Sequence, residues 1–336
     1  MKTAKNIYPL IYDFGNLERA FFKARRCKRY SKDALKFSRH RQEQLGRLQD
    51  GLRAGTYKQG PYKTFVIHEP KERVISALPF YDRVAQHALN FIIEPYFERR
   101  YYYHSYACRK GKGSHRAAKQ LQTWIYEQTY NGKKLYALKA DIHHYFASID
   151  HEILKALLRR IFADKESLAL LDQIIDSTPG GKGLPVGNLT SQAFANLYLT
   201  ELDNFVKREL KARFYIRYMD DFVILSDDPK ELAAWLEAIT RYLDESLALS
   251  LNPKTAILYC GNGVNFVGYR VYSDHMKLSK RSVRNMRRRI IAFRRGEITE
   301  ERLDKAVTSW EDHAKHADTF HIHAAIMAEV AAAKAA

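Results

Sequence analysis

Residues 215–225 read Tyr215-Ile216-Arg217-Tyr218-Met219-Asp220-Asp221-Phe222-Val223-Ile224-Leu225. Two β-prone runs flank a tight acidic turn, the signature of a hairpin. Upstream, from Tyr136, a second strand pattern turns Leu138, Ala140 and Ile142 one way and leaves Lys139 and Asp141 on the opposite face. Each acidic site therefore lies in an apolar, strand-forming context. Withdrawing a carboxylate from water costs roughly several kcal/mol unless a cation or hydrogen-bond donors compensate it. Three carboxylates brought together would repel one another unless divalent metal held them. Hard oxygen ligands suit Mg²⁺, and two such ions about 3.5–4 Å apart can clamp an in-line phosphoryl transfer.

Between the two acidic segments, Asp150 to Phe162 reads as helix. A Gly-rich loop, PGGKGLPVGN, then leads into a helix with Phe194, Leu197, Tyr198, Leu202 and Phe205 on one face. Asn188, Thr190 and Ser191 are its candidate caps. Before Tyr136, residues 16 to 55 read as basic helix, Thr64 to Ile67 and Arg73 to Pro79 as extended chain, and Asp82 to Tyr96 as helix. Near the end, Val283, Met286, Ile290 and Phe293 form a helical stripe, with Arg281, Arg284, Arg288 and Arg295 roughly opposite. Strand and helix mixed without regular βαβ repetition argues an α+β fold.

The 336 residues carry 56 Lys+Arg against 38 Asp+Glu, a formal charge of +18. That surplus on a folded chain points to a polyanion, nucleic acid or an anionic membrane. A hydrophobic fraction of 46% excludes a mostly disordered chain. No stretch approaches the roughly 18 apolar residues of a membrane span, and the start lacks the apolar core of a signal peptide. Cys27, Cys108 and Cys260 lie far apart and make no metal-ligand spacing, so a reducing cytoplasm is the simplest location. His313, His316, His321 and His323 lack a zinc-finger pattern and read as packing or surface residues.

Tyr218-Met219-Asp220-Asp221 resembles the YxDD box of reverse transcriptases. Asp141-Ile142-His143-His144-Tyr145-Phe146 is similar to their first carboxylate motif, and GLPVGNLTSQAFANLYLTELD (183–203) to their third block. The three blocks stand in the order of a right-hand polymerase palm, and the similarity runs from about Tyr57 to about Thr319. It implies a basic helical N-terminal extension over 1–56, fingers over 57–135, a palm over 136–272 with a finger-side insertion around 151–183, and a helical thumb and tail over 273–336. Little room remains after the thumb, so an RNase H or endonuclease domain is not expected.

The resemblance implies Asp141, Asp220 and Asp221 as ligands of two Mg²⁺ ions, with Mn²⁺ as the alternative. Phe146 becomes the steric gate against a 2′-hydroxyl. Lys71 and Arg73, in EPKERVISALP, resemble basic finger residues that grip a triphosphate. Lys254, in LNPKT, resembles the lysine that protonates departing pyrophosphate. Phe266-Val267-Gly268-Tyr269 is similar to the primer-grip hairpin, which gives Tyr269 a nucleic-acid contact. Arg281, Arg284, Arg288 and Arg295 would lie along a duplex backbone. For each single residue a plain core or surface role stays open.

Most reverse transcriptases place Gln-Gly and then Ser-Pro in the third block, whereas this chain has Val186-Gly187 and then Ser191-Gln192. That form is similar to reverse transcriptases of diversity-generating retroelements, which are error-prone at template adenines. Valine lacks an amide's hydrogen bonds to the nucleotide, worth on the order of 1 kcal/mol each. The resemblance implies Gly187 and Gln192, with Val186, as that loop's nucleotide-binding residues. The tail SWEDHAKHADT resembles theirs too, with Asp312 where Gly is usual. The resemblance implies a template-repeat RNA, an RNA/DNA duplex, dNTPs and an accessory variability determinant protein as partners, and no membrane. Three other readings stay open on sequence: a phage-defence reverse transcriptase acting on another RNA, an RNA-dependent RNA polymerase, and a non-catalytic basic RNA-binding protein.

Overall fold

The computed structural model describes residues 3–67 and 73–335. The chain folds into two compact units, each made of separate stretches: Met1–Tyr102, Ile142–Phe205 and Arg241–Ser250 form the first, and Tyr103–Asp141, Val206–Thr240 and Leu251–Ala336 the second. Both units thus draw on segments far apart in the chain.

In the first unit the basic N-terminal stretch forms helices Phe14–Arg25, Lys32–Arg39 and Arg41–Arg53. Asp13 and Ser31 cap the first two by accepting the Asn16 and Ala34 amides. Leu17, Ala20 and Phe21, then Ala34 and Phe37, then Leu45, Leu48 and Leu52 turn inward. They pack with Phe80, Val84, Ala88 and Ile93 of the long helix Phe80–Glu98. Phe37 joins the helices, its ring 5.5 Å from Phe21 and 5.2 Å from Phe80. Burying a Phe or Leu side chain stabilises by about 1.5–3 kcal/mol, so this one-sided apolar pattern suffices to hold the helices while Lys23, Arg26, Lys28 and Arg29 stay exposed. Strands β1 (Lys63–Ile67) and β2 (Arg73–Ala77) pair antiparallel with Ile67 opposite Arg73. Helices His151–Arg159, Lys165–Ile175 and Leu189–Tyr198 complete the unit's main elements.

The second unit is built on an antiparallel sheet of order β4-β5-β3-β6, with β3 Tyr136–Asp141, β4 Phe214–Tyr218, β5 Asp221–Ser226 and β6 Ala256–Tyr259. Phe222, Val223, Ile224 and Leu225 are all buried, as a strand paired on both sides and covered on both faces must be. On β3, Leu138 and Ala140 point inward while Lys139 and Asp141 are half-buried, the alternation expected from sequence. A three-stranded sheet follows, β7 (Val264–Phe266), β8 (Tyr269–Val271) and β9 (Met276–Leu278). Helices Lys280–Arg294, Glu300–Ala314 and Phe320–Ala335 close the chain. Leu121, Ile125, Val223, Phe266, Met286, Leu303, Trp310 and Ile326 belong to one apolar core. The fold is α+β with antiparallel sheets, as the sequence pattern argues.

Two local expectations need correction. Asn188 stands at the N-cap of Leu189–Tyr198 without making a side-chain cap; its amide instead donates to the Tyr62 hydroxyl at 2.8 Å. Tyr269 is fully buried, and its hydroxyl lies 2.6 Å from His115 Nδ1 and 2.9 Å from His313 Nδ1. It has no free surface for nucleic acid and instead ties β8 to two helices.

Candidate active site

The second unit brings the acidic segments together by strand register. β3 ends at Asp141 and β5 begins at Asp221, and in the antiparallel pair these two are direct partners. Cβ atoms of such partners lie about 4.5–5.5 Å apart. Across the hairpin Tyr218 faces Asp221, which leaves Met219 and Asp220 as a two-residue loop. Met219 has φ 58°, and Asp220 is not among the residues of positive φ. A positive φ at the first loop position alone is the pattern of a type II′ turn. A non-glycine residue there costs on the order of 1–3 kcal/mol and needs surroundings that hold it.

Arg217 does the holding. Its side chain is fully buried, and Nη1 donates to the Met219 carbonyl at 2.9 Å. Its own backbone is fixed on the outer side of β4: its N–H donates to the His104 carbonyl at 3.0 Å, and its carbonyl accepts the Tyr106 N–H at 2.9 Å.

Asp141 is oriented by Asn252, whose N–H donates to the Asp141 carbonyl at 2.7 Å and whose Nδ2 donates to Oδ2 at 3.3 Å. Asn252 Oδ1 in turn accepts the Lys254 N–H at 3.0 Å, so one asparagine sets both Asp141 and the turn that bears the exposed Lys254. Lys139 Nζ bonds Asp221 Oδ1. The Asp221 carboxyl is pushed up to about 6, chiefly by burial and also by the charges of Asp141 and Asp220, with Lys139 pulling against them. Among the described residues no three acidic, His or Cys side chains form a ready metal-ligand cluster. Asp221 is engaged by Lys139 and Asp141 by Asn252. The donor set nevertheless fits Mg²⁺: hard carboxylate oxygens, two of them on paired positions, whose mutual repulsion a divalent cation would relieve.

The other expected site residues divide between the units. In the first, Phe146 is half-buried on the short helix Tyr145–Ser148, and its carbonyl accepts the Leu184 N–H at 2.7 Å. Two residues on, the half-buried Val186 accepts the Ser76 N–H at 2.8 Å, which ties this loop to β2. Gly187 has φ +120°, and a Cβ there would come within 3.1 Å of both Ile75 Cγ2 and the Ser76 carbonyl oxygen. Gln192 is exposed in the first turn of the next helix, Arg73 opens β2, and Lys71 lies outside the described residues. In the second unit Arg281, Arg284 and Arg288 are exposed on helix Lys280–Arg294. Arg295 is the residue after that helix and pairs with Glu297 at 3.9 Å. Lys139, Arg217 and Asn252 have no role assigned from sequence. Their signals are a charged residue amid each strand's apolar residues and an Asn-Pro turn.

The fold and this geometry have relatives. A family model described as "Reverse transcriptase (RNA-dependent DNA polymerase)" matches residues 61–271. The chain belongs to the reverse transcriptase family. Among similar sequences, Protein YkfC of Escherichia coli (strain K12) is 25% identical over 267 residues, 67% of this chain and 70% of that protein. Group II intron-encoded protein LtrA of Lactococcus lactis subsp. cremoris is 22% identical over 316 residues, 72% of this chain and 52% of its own. The chain thus spans about half the length of that intron-encoded relative. Apo telomerase from Candida tropicalis superposes with a TM-score of 0.53 at 12% identity, covering 74% of this chain and 51% of that one. The likeness is one of fold, the right-hand polymerase arrangement with antiparallel sheets. Among the described residues no helix is long and apolar enough to cross a membrane.

Proposed function

We propose that the chain is an RNA-directed DNA polymerase that copies a template-repeat RNA into cDNA, with errors concentrated at template adenines. The observation that carries the polymerase reading is the register of Asp141 with Asp221, with Asp220 beside them in the turn. In this reading Asp141, Asp220 and Asp221 hold two Mg²⁺ ions. When bound, the ions supply a more acidic 3′-hydroxyl and charge neutralisation at the leaving pyrophosphate. Asn252 orients Asp141, and Arg217 fixes the turn that carries Asp220. Phe146 excludes a 2′-hydroxyl, Lys71 and Arg73 grip the triphosphate, and Lys254 donates a proton to pyrophosphate. Residues 57–135, 136–272 and 273–336 serve as fingers, palm and thumb behind a basic extension over 1–56. Arg281, Arg284, Arg288 and Arg295 lie along the duplex backbone.

The retroelement assignment rests on the VGNLTSQ loop, where Val186 offers an apolar surface instead of an amide. It brings an accessory variability determinant protein as partner. The test is primer extension on a defined RNA with Mg²⁺ and dNTPs, followed by sequencing of the products. Wild type extends with dNTPs and not with NTPs, with misincorporation concentrated opposite adenine, and Val186→Gln lowers that error rate. Asp220→Ala loses extension while keeping its RNA affinity. Extension by Asp220→Ala at the wild-type rate would overturn the polymerase reading. Uniform errors across the four template bases would remove the retroelement assignment and leave the polymerase.

A further inference from the structure

Strand alternation places Lys139 on the same face of β3 as Asp141. Across the pair, Val223 faces Lys139 and Asp221 faces Asp141, so the lysine reaches diagonally along the sheet to bond Asp221. Lysines at a sheet surface ordinarily extend their ammonium into water. This one does not: the side chain is 19% exposed and its partner Asp221 28%. Its Nζ also stands 6.0 Å from the Phe266 ring centroid, over an apolar wall. Two of the three carboxylates sit at paired positions and the third is next in the chain, which leaves a local charge of −3 before Lys139 is counted. The lysine lowers that to −2.

We propose that Lys139 is a resident counter-cation: it occupies Asp221 in the metal-free protein, must release it before Asp221 can accept a divalent ion, and so weakens metal binding. This rests on the reading of Asp141, Asp220 and Asp221 as metal ligands. A fixed positive charge beside a cation site opposes a second cation, and the ion pair must be broken before the metal is bound. The cost of folding the cluster empty is thereby traded against affinity when it is loaded.

The experiment is Mg²⁺ titration by calorimetry on the full chain at pH 8 without nucleic acid, paired with melting curves. Lys139→Met keeps the apolar stem beside Phe266 and removes the charge. It should bind Mg²⁺ on the order of tenfold more tightly, melt at a lower temperature without metal, and gain more in Tm from added Mg²⁺ than wild type. Lys139→Arg should stay close to wild type. Asp221→Asn serves as the control for the ligand set and should bind poorly. On unmutated protein, amine-reactive labelling read by mass spectrometry should find Lys139 protected without metal and more reactive once Mg²⁺ is added, a readout that needs no variant to fold. The proposal is overturned if Lys139→Met binds no more tightly than wild type while Asp221→Asn loses binding, or if Lys139 labelling ignores Mg²⁺. If Asp221→Asn binds as wild type does, the ligand assignment itself is wrong and the proposal falls with it.

Discussion

At the scale of single residues, the acidic turn depends on a side chain with no chemistry of its own to perform. Arg217 is charged and fully buried, and its hydrogen bond to the Met219 carbonyl holds a non-glycine residue at φ 58°. Arg217→Met keeps much of the volume and removes the donor, which leaves a buried carbonyl unpaired at a cost of about 1–3 kcal/mol. Urea denaturation should register that loss, and primer extension should show kcat falling further than KM, because the turn carries Asp220 rather than a substrate contact. Asn252 acts on Asp141 in the same indirect way. The acids themselves are readable from sequence, since Asp141 ends a β-prone run and Asp220 and Asp221 stand at the turn between two others. The residues that aim them were not, because a lysine or arginine in a strand looks the same whether it faces water or a partner. Lys139 and Asp221 are 82 positions apart, and only the register of two strands makes them neighbours.

At the scale of elements, the loop before helix Leu189–Tyr198 is held against β2 by Val186 and Gly187. Gly187→Ala would force a Cβ to 3.1 Å from Ile75 and from the Ser76 carbonyl oxygen, at φ +120°. The expected result is a loss of about 1–2 kcal/mol, seen in thermal melts, and a raised KM for dNTP in steady-state incorporation. Two half-buried histidines set a pH dependence. His87, on helix Phe80–Glu98, is pushed down to about 4 by burial and by the charges of Lys23 and Arg83. His104 is likewise pushed to about 4 by burial, Lys112 and Lys207. The unfolded chain takes up these protons near pH 6.5 and the folded chain does not, so stability is lost as pH falls from about 6.5 towards 4. The Tm should therefore drop between pH 7.5 and pH 5, and a His87→Gln, His104→Gln double variant should drop less. The β8 hairpin shows an element correctly located and a residue misread. Tyr269 stands in a strand beside a glycine, as expected, yet faces inward to His115 and His313.

At the scale of the whole molecule, a net charge of +18 makes RNA affinity salt-dependent, and the arginines should not share that dependence equally. Arg284 and Arg288 are exposed, and Arg287, exposed as well, is paired with Glu329 at 2.9 Å. Changing either Arg284 or Arg288 to Gln should lower the slope of log affinity against log salt by about 1. Arg287→Gln should leave the slope nearly unchanged. RNA-binding isotherms over a range of KCl concentrations check both.

The sequence by itself determined the α+β class, the acidic hairpin, the order of the three blocks and the apolar faces of the helices. These follow from periodicities of two and of about 3.6 residues, which are complete within a short window. Tertiary structure alone decided that both compact units are assembled from interleaved segments, that Lys139 meets Asp221, that Arg217 goes inward and that Tyr269 is out of reach of solvent. Those outcomes depend on which distant strand or helix arrives alongside, and on whether burying a polar group is offset by a partner that no local window contains.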